Sequence, residues 1–354
     1  GGPGAAFWMW LSAFFGMCTK YSEVILAVHY REVRPDGTVL GGPFQYIEKG
    51  LHAKWLAVLF ALFGGLASFG IGNMTQANSV AHAMETSFGV PRLVTGIIVM
   101  VITGVVVLGG LKSIVKVTEK LVPFMAIFYI LGGIALIVTN FGKLPAALGL
   151  IFSEAFTGTA AVGGFAGSTV LMAMTKGVAR GVFSNEAGLG SAPIVHATAR
   201  VDHPVQQGLW GIFEVFMDTL VICSITALSI VMTGAWQSGK SGAELTTTAF
   251  NQAIPFFGTY VVSIGLVLFA YSTILGWQYY GEKCWEYLAG PAVRLPYRIL
   301  FLPPLVLGSL GALNFIWDLA DTLNGLMAIP NLIALLGLSP VIIKLTREYF
   351  TEKA

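Results

Sequence analysis

The sequence predicts an all-α polytopic membrane protein, and three observations carry that prediction. Of its 354 residues, 55% are hydrophobic and only 11% charged, against roughly 25% charge in soluble domains. Mean hydropathy is +0.77. Apolar runs of about 20 residues, the length of a spanning helix, recur, while the short alternating strands of a membrane barrel do not. The net charge of +2 is too small to suggest nucleic acid and leaves the lipid bilayer as the surrounding medium. Cys18, Cys223 and Cys284 fall inside apolar runs and read as small buried hydrophobes rather than disulfides or metal ligands.

The first span is read at 5–30, introduced by Gly1-Gly-Pro3 and dense in Phe7, Trp8 and Trp10. Lys20 and Glu23 lie one turn apart in it, able to pair with each other as a structural ion pair or to serve in coupling. A polar loop over 31–54 carries the turn signals Pro35-Asp-Gly37 and Gly41-Gly-Pro43. Further spans are read at 55–84, 92–111, 120–139, 176–199, 206–233, 257–287, 295–316 and 322–346. That makes about nine, in a single transmembrane domain over 1–354. A surface helix near 144–156 and an amphipathic stretch at 243–254 read as interfacial. With alternating spans, Lys and Arg concentrate on the side holding Arg31, Arg34, Lys112, Lys116, Lys120, Arg294 and Arg298, which is therefore cytoplasmic.

The centre of the chain is Phe183-Ser-Asn-Glu-Ala-Gly-Leu-Gly-Ser-Ala-Pro193. Gly188, Gly190 and Pro193 break a helix in a run long enough to span the membrane. Ser184, Asn185, Glu186 and Ser191 add polar groups where lipid disfavours them. Irregular backbone at that depth is tolerated only where it is packed in protein or lines a cavity. Its freed amides suit a carboxylate, and its carbonyls suit an ammonium or a cation. The competing reading is a kink filled by neighbouring helices.

Other polar positions join this segment. Asn73 and Gln76 sit three apart on one helix face, as interhelical glue or as ligand contacts. Ser272 and Thr273, near the Phe269 carbonyl, offer hard oxygens to a small cation such as Na⁺, or bond back to the preceding turn. Trp277, one turn on, walls a pocket or simply packs. Glu214 and Asp218, four apart, are intramembrane carboxylates with a structural or coupling role. The chain holds no H-E-x-x-H, no G-x-x-x-x-G-K-[ST] and no G-x-S-x-G. No catalytic residue and no organic cofactor is assigned, and the expected class is not an enzyme.

Four motifs together resemble the alanine or glycine:cation symporter family, over essentially the whole chain. They are Gly1-Gly-Pro-Gly-Ala-Ala-Phe-Trp-Met-Trp10, Gly16-Met-Cys-Thr-Lys-Tyr-Ser-Glu23, Gly41-Gly-Pro-Phe-Gln-Tyr46 and Phe183 through Pro193. The resemblance implies the amino acid–polyamine–organocation superfamily and the leucine-transporter fold, two inverted five-helix repeats whose first and sixth core helices are broken. It implies import of alanine or glycine coupled to Na⁺ by alternating access, in a prokaryotic inner membrane. Carried over by motif, Phe183 lines the substrate pocket with Ser184 and Asn185, and Gln76 faces it from the third core helix. Ile274 and Trp277 limit the substrate side chain, while Ser272, Thr273 and the Phe269 carbonyl hold sodium. The family's broken first core helix is expected to be missing, the chain being N-terminally truncated and its spans being core helices two to ten. Other readings of the same fold are a proton-coupled or exchange amino acid carrier, or a non-transporting receptor or scaffold.

Overall fold

A computed structural model of the chain describes residues 1–157, 170–255, 257–311 and 313–351. Helices dominate because lipid offers no hydrogen bonds, so the backbone must satisfy itself within each crossing segment. In order these are α1 (Gly4–His29), α2 (Pro43–Leu51), α3 (Lys54–Phe88), α4 (Arg92–Leu108), α5 (Gly110–Thr139) and α6 (Leu144–Thr157). There follow α7 (Val170–Asn185), α8 (Pro193–His196), α9 (Pro204–Thr233), α10 (Gly242–Ala253) and α11 (Gly258–Ala289). The chain closes with α12 (Pro291–Leu310), α13 (Leu313–Gly337) and α14 (Ser339–Thr351). Among the described residues, seven helices are long and apolar enough to cross a membrane, and α4 is a shorter apolar one of 17 residues.

Among the boundaries that differ from the sequence reading, two have identifiable reasons. The span expected from 120 begins at Gly110, because Lys112, Lys116 and Lys120 continue the helix rather than forming a loop. Thirty residues rise about 45 Å, longer than a hydrocarbon core of about 30 Å, so polar residues can occupy one end. The last span, expected at 322–346, is instead α13 followed by a separate α14. Pro330 lies inside α13 without ending it, whereas the chain turns at Leu338 between Gly337 and Pro340. The surface helix read near 144–156 is α6, and 158–169 lie outside the described residues.

Two neighbourhoods meet at the middle. In one, α1 packs against α6, α7 and α9; in the other, α3 packs against α11 and α13, and α12 against α4. Large apolar side chains such as Phe124, Ile127, Leu131, Ile134 and Val138 of α5 stay exposed, as a lipid-facing belt requires. Cys18 is exposed on α1, while Cys284 is buried.

At the Lys/Arg-rich end, a short hairpin pairs Glu32 with Leu40 and Val33 with Val39. Its turn is closed by Thr38, whose backbone N–H and hydroxyl both donate to Asp36. Those two bonds hold the exposed Asp36 carboxyl below its ordinary range. Arg34 of the hairpin donates to Glu286 of α11, which also accepts from Lys283 at 2.9 Å and Arg294 at 2.8 Å. Arg298 grips Glu282 through Nε and Nη2 at 2.6 and 2.8 Å. The loop joining α1 to α2 is thereby tied to the end of α11.

Candidate functional site

The helix α7 stops at Asn185, and α8 starts at Pro193, where the missing N–H costs nothing because a first-turn amide has no helical partner. Between them Glu186, Gly188 and Gly190 take left-handed backbone, with φ of +57°, +90° and +82°. Glycine accepts that region freely, but a side chain there is uncommon. At Gly190 the absence of a Cβ also matters, since one would lie 2.6 Å from Pro43 Cγ and 2.8 Å from Phe60.

Freed backbone groups are met by side chains from far along the sequence. Glu23 of α1, fully buried, accepts from Gly190 N–H at 3.1 Å and from the Asn331 amide of α13. The same Asn331 nitrogen donates to Gly188 O at 2.9 Å, and Tyr46 of α2 donates to Asn331 Oδ1. Glu186 accepts from Ser191 Oγ at 2.7 Å and from Trp277 Nε1 of α11 at 2.8 Å. Buried polar groups in a low-dielectric setting are costly unless paired, and here four elements supply the partners.

The expected pairing of Lys20 with Glu23 does not form. Lys20 Nζ lies 3.7 Å from Glu214 of α9, and Glu214 meets His196 at 2.7 Å. Glu23 turns to the break instead. Glu214 and Asp218, with a wide π turn beginning at Phe216 between them, take different hydrogen-bond partners. Asp218 accepts from Ser184 at 2.9 Å and Thr219 at 2.8 Å. Asn185 donates to Thr219 at 3.0 Å and accepts from Ala187 N–H at 2.9 Å. The side-chain bonds of Ser184 and Asn185 therefore tie the end of α7 to α9.

A second wide turn, Gly70–Met74, sits in α3. The amides beside it take different partners: Asn73 donates to Phe301 O at 2.6 Å, an interhelical contact, and Gln76 donates to Ile71 O at 2.9 Å. Trp277 packs into this turn, where a Cβ on Gly72 would lie 1.9 Å from Trp277 Cβ. Phe183 packs against the same core cluster as Trp277, its ring 5.0 Å from Trp317. Ile274 belongs to a different cluster, with Ala77, Val80 and Val99. Ser272 and Thr273 both donate to Phe269 O, at 2.8 and 2.9 Å, so three oxygens gather on one turn of α11.

Sequence reasoning missed Trp317, Arg180 and Asp321. Arg180 stands 5.1 Å from the Phe183 ring and 5.4 Å from Trp317, and pairs with Asp321. An arginine over aromatic faces is a favourable cation–π arrangement, and its position one turn before Phe183 was the available signal.

A bundle of apolar spans with one helix broken at depth, its ends tied by buried side chains to neighbouring spans, defines a multi-pass integral membrane transporter. The chain belongs to the sodium:alanine symporter family, whose model matches residues 1–354. It is 50% identical over 358 residues to the sodium/alanine symporter AgcS of Methanococcus maripaludis, covering 99% of this chain and 78% of that one. A probable sodium/glutamine symporter of Bacillus subtilis, GlnT, is 40% identical, over 100% of this chain and 73% of the relative. Among solved structures, a mutant manganese transporter of Eremococcus coleocola superposes with a TM-score of 0.57 at 14% identity, covering 97% of this chain and 72% of that one. The fold is the leucine-transporter fold.

Proposed function

We propose that this chain carries the transport machinery of a sodium-coupled importer of small neutral amino acids, alanine or glycine, working by alternating access across nine spans. The nine are the seven long helices, α4, and the pair of half-helices α7 and α8. The observation that carries this reading is the broken segment itself. Its irregular backbone is held at depth beside Trp277, within a family of symporters. The half-helix ends and polar groups there suit the two charges of a zwitterion. Phe183, Ser184, Asn185, Gln76, Ile274 and Trp277 are the proposed pocket residues.

The sodium reading draws support from the gathering of Phe269 O, Ser272 Oγ and Thr273 Oγ1, hard oxygens of the kind a small cation takes. Both hydroxyl protons can rotate away from Phe269 O, leaving lone pairs for the ion. The test is uptake by the full-length protein in proteoliposomes. Alanine uptake should require a Na⁺ gradient, and Ser272→Ala or Thr273→Ala should raise the Na⁺ concentration needed about tenfold, the value of one lost charge-assisted contact of about 1.4 kcal/mol. Equal uptake in choline buffer at neutral pH would point to a proton-coupled or exchange carrier.

A further inference from the structure

The geometry points to Glu186 as a positioning residue that sets the size of the transported side chain by fixing the indole of Trp277. This rests on the proposal that Trp277 walls the amino acid pocket.

Trp277 is held on three sides. Its Cβ and ring root fill the space opposite Gly72, where any Cβ would lie 1.9 Å from Trp277 Cβ and 2.2 Å from Cγ. Tyr280 meets the ring edge-on, with centroids 5.5 Å apart. The ring is 1% exposed, and its single polar atom is tethered by the hydrogen bond from Nε1 to Glu186 Oε1, 2.8 Å long. Glu186 is itself fixed. Its second oxygen accepts from Ser191 Oγ at 2.7 Å, and its backbone N–H donates to Val182 O at 2.8 Å. Its φ of +57° places a bulky side chain where glycine is the easy choice. Backbone strain retained at a functional position is a mark of pre-organisation.

Glu186 therefore transmits the shape of the break to the wall supplied by α11. Without its carboxylate the indole N–H loses its acceptor in a nearly dry setting and the ring swings to find another. The wall then recedes. A pocket that discriminates by size separates substrates one methylene apart by about 10- to 200-fold, so a receding wall shows first in the ratio between a bulkier substrate and alanine.

The experiment measures kcat/KM for valine and for alanine with the full-length transporter in proteoliposomes. Glu186→Gly removes the carboxylate while welcoming the left-handed backbone, and should raise the valine-to-alanine ratio about tenfold. Glu186→Gln retains an acceptor for the indole and should leave the ratio near its starting value. Glu186→Asp keeps the charge and tolerates φ > 0 but withdraws the acceptor by one methylene, and should move the ratio in the same direction as Glu186→Gly. Trp277→Phe is the control for the pocket. If its ratio stays fixed, Trp277 is not a pocket wall and the inference falls with that reading. If it moves while Glu186→Gly and Glu186→Asp lower both substrates equally, the inference alone is overturned and Glu186 serves only the fold.

Discussion

The break at 186–192 and the wide π turns in α3 and α9 are two departures from a regular helix, and they are repaired at different ranges. In α3 the loosened carbonyls are met locally. Thr75 Oγ1 donates to Ile71 O at 2.6 Å and Gln76 Nε2 to the same atom at 2.9 Å. In α9, Ser224 Oγ donates to Thr219 O at 3.3 Å. Five residues or fewer separate each donor from its acceptor. The break instead draws on Glu23, Tyr46, Trp277 and Asn331, residues of four other helices. Local repair keeps a helix whole and lets it bend. Repair from a distance makes the geometry of the break a property of the whole bundle.

That contrast can be broken most severely at Glu23. Replacing it by Ala leaves the Gly190 N–H and an Asn331 donor without acceptors, each costing about 1–3 kcal/mol when buried. Chemical unfolding in detergent should show a loss of about 4 kcal/mol, with alanine uptake abolished. A loss no larger than that of an exposed-residue change would show that the bundle does not hold the break. The two glycines sharpen the point. Gly190→Ala combines left-handed strain with a collision against Pro43, Phe60 and Asn331, together about 3 kcal/mol. Gly188→Ala meets nothing closer than Leu332 at 3.6 Å and should cost only about 1 kcal/mol of strain. Equal effects at the two positions would mean that packing around the break is looser than described. The smallest effect is expected in the locally repaired helix. Thr75→Val removes a hydroxyl but no long-range tie, and should lower stability by about 1 kcal/mol without changing uptake.

The same distinction explains what the chain reveals by reading alone. Gly188, Gly190 and Pro193 announce the break because their effect is on their own backbone. Asn331 could not be foreseen, since it lies 308 residues from Glu23 and looks like any amide in an apolar run. Lys20 and Glu23 mislead for a related reason. Their spacing puts both on one side of α1, but Glu214 and the break compete for them, and the neighbours win. Asn73 and Gln76 were expected on one face, yet their partners, Phe301 O of another helix and Ile71 O of their own, could not be read from spacing beside the wide turn at Gly70–Met74. The oxygens of Phe269, Ser272 and Thr273 lie within one turn, so their gathering follows from helical spacing.

The crossing of α1 and α7 carries a mechanical consequence. A Cβ at Gly177 would lie 2.3 Å from Ala5 O and 3.1 Å from Met9 N, and one at Gly181 would lie 2.6 Å from Ser12 Oγ. The two helices thus touch backbone to backbone. Sliding between helices ordinarily proceeds by small readjustments of interdigitated side chains, and here too few side chains intervene to readjust. Helix α1 and the first half of the broken helix are therefore held at close range. Glu23 on the same α1 accepts from Gly190 N–H within the break, so one helix holds both the end of α7 and the irregular segment that follows it.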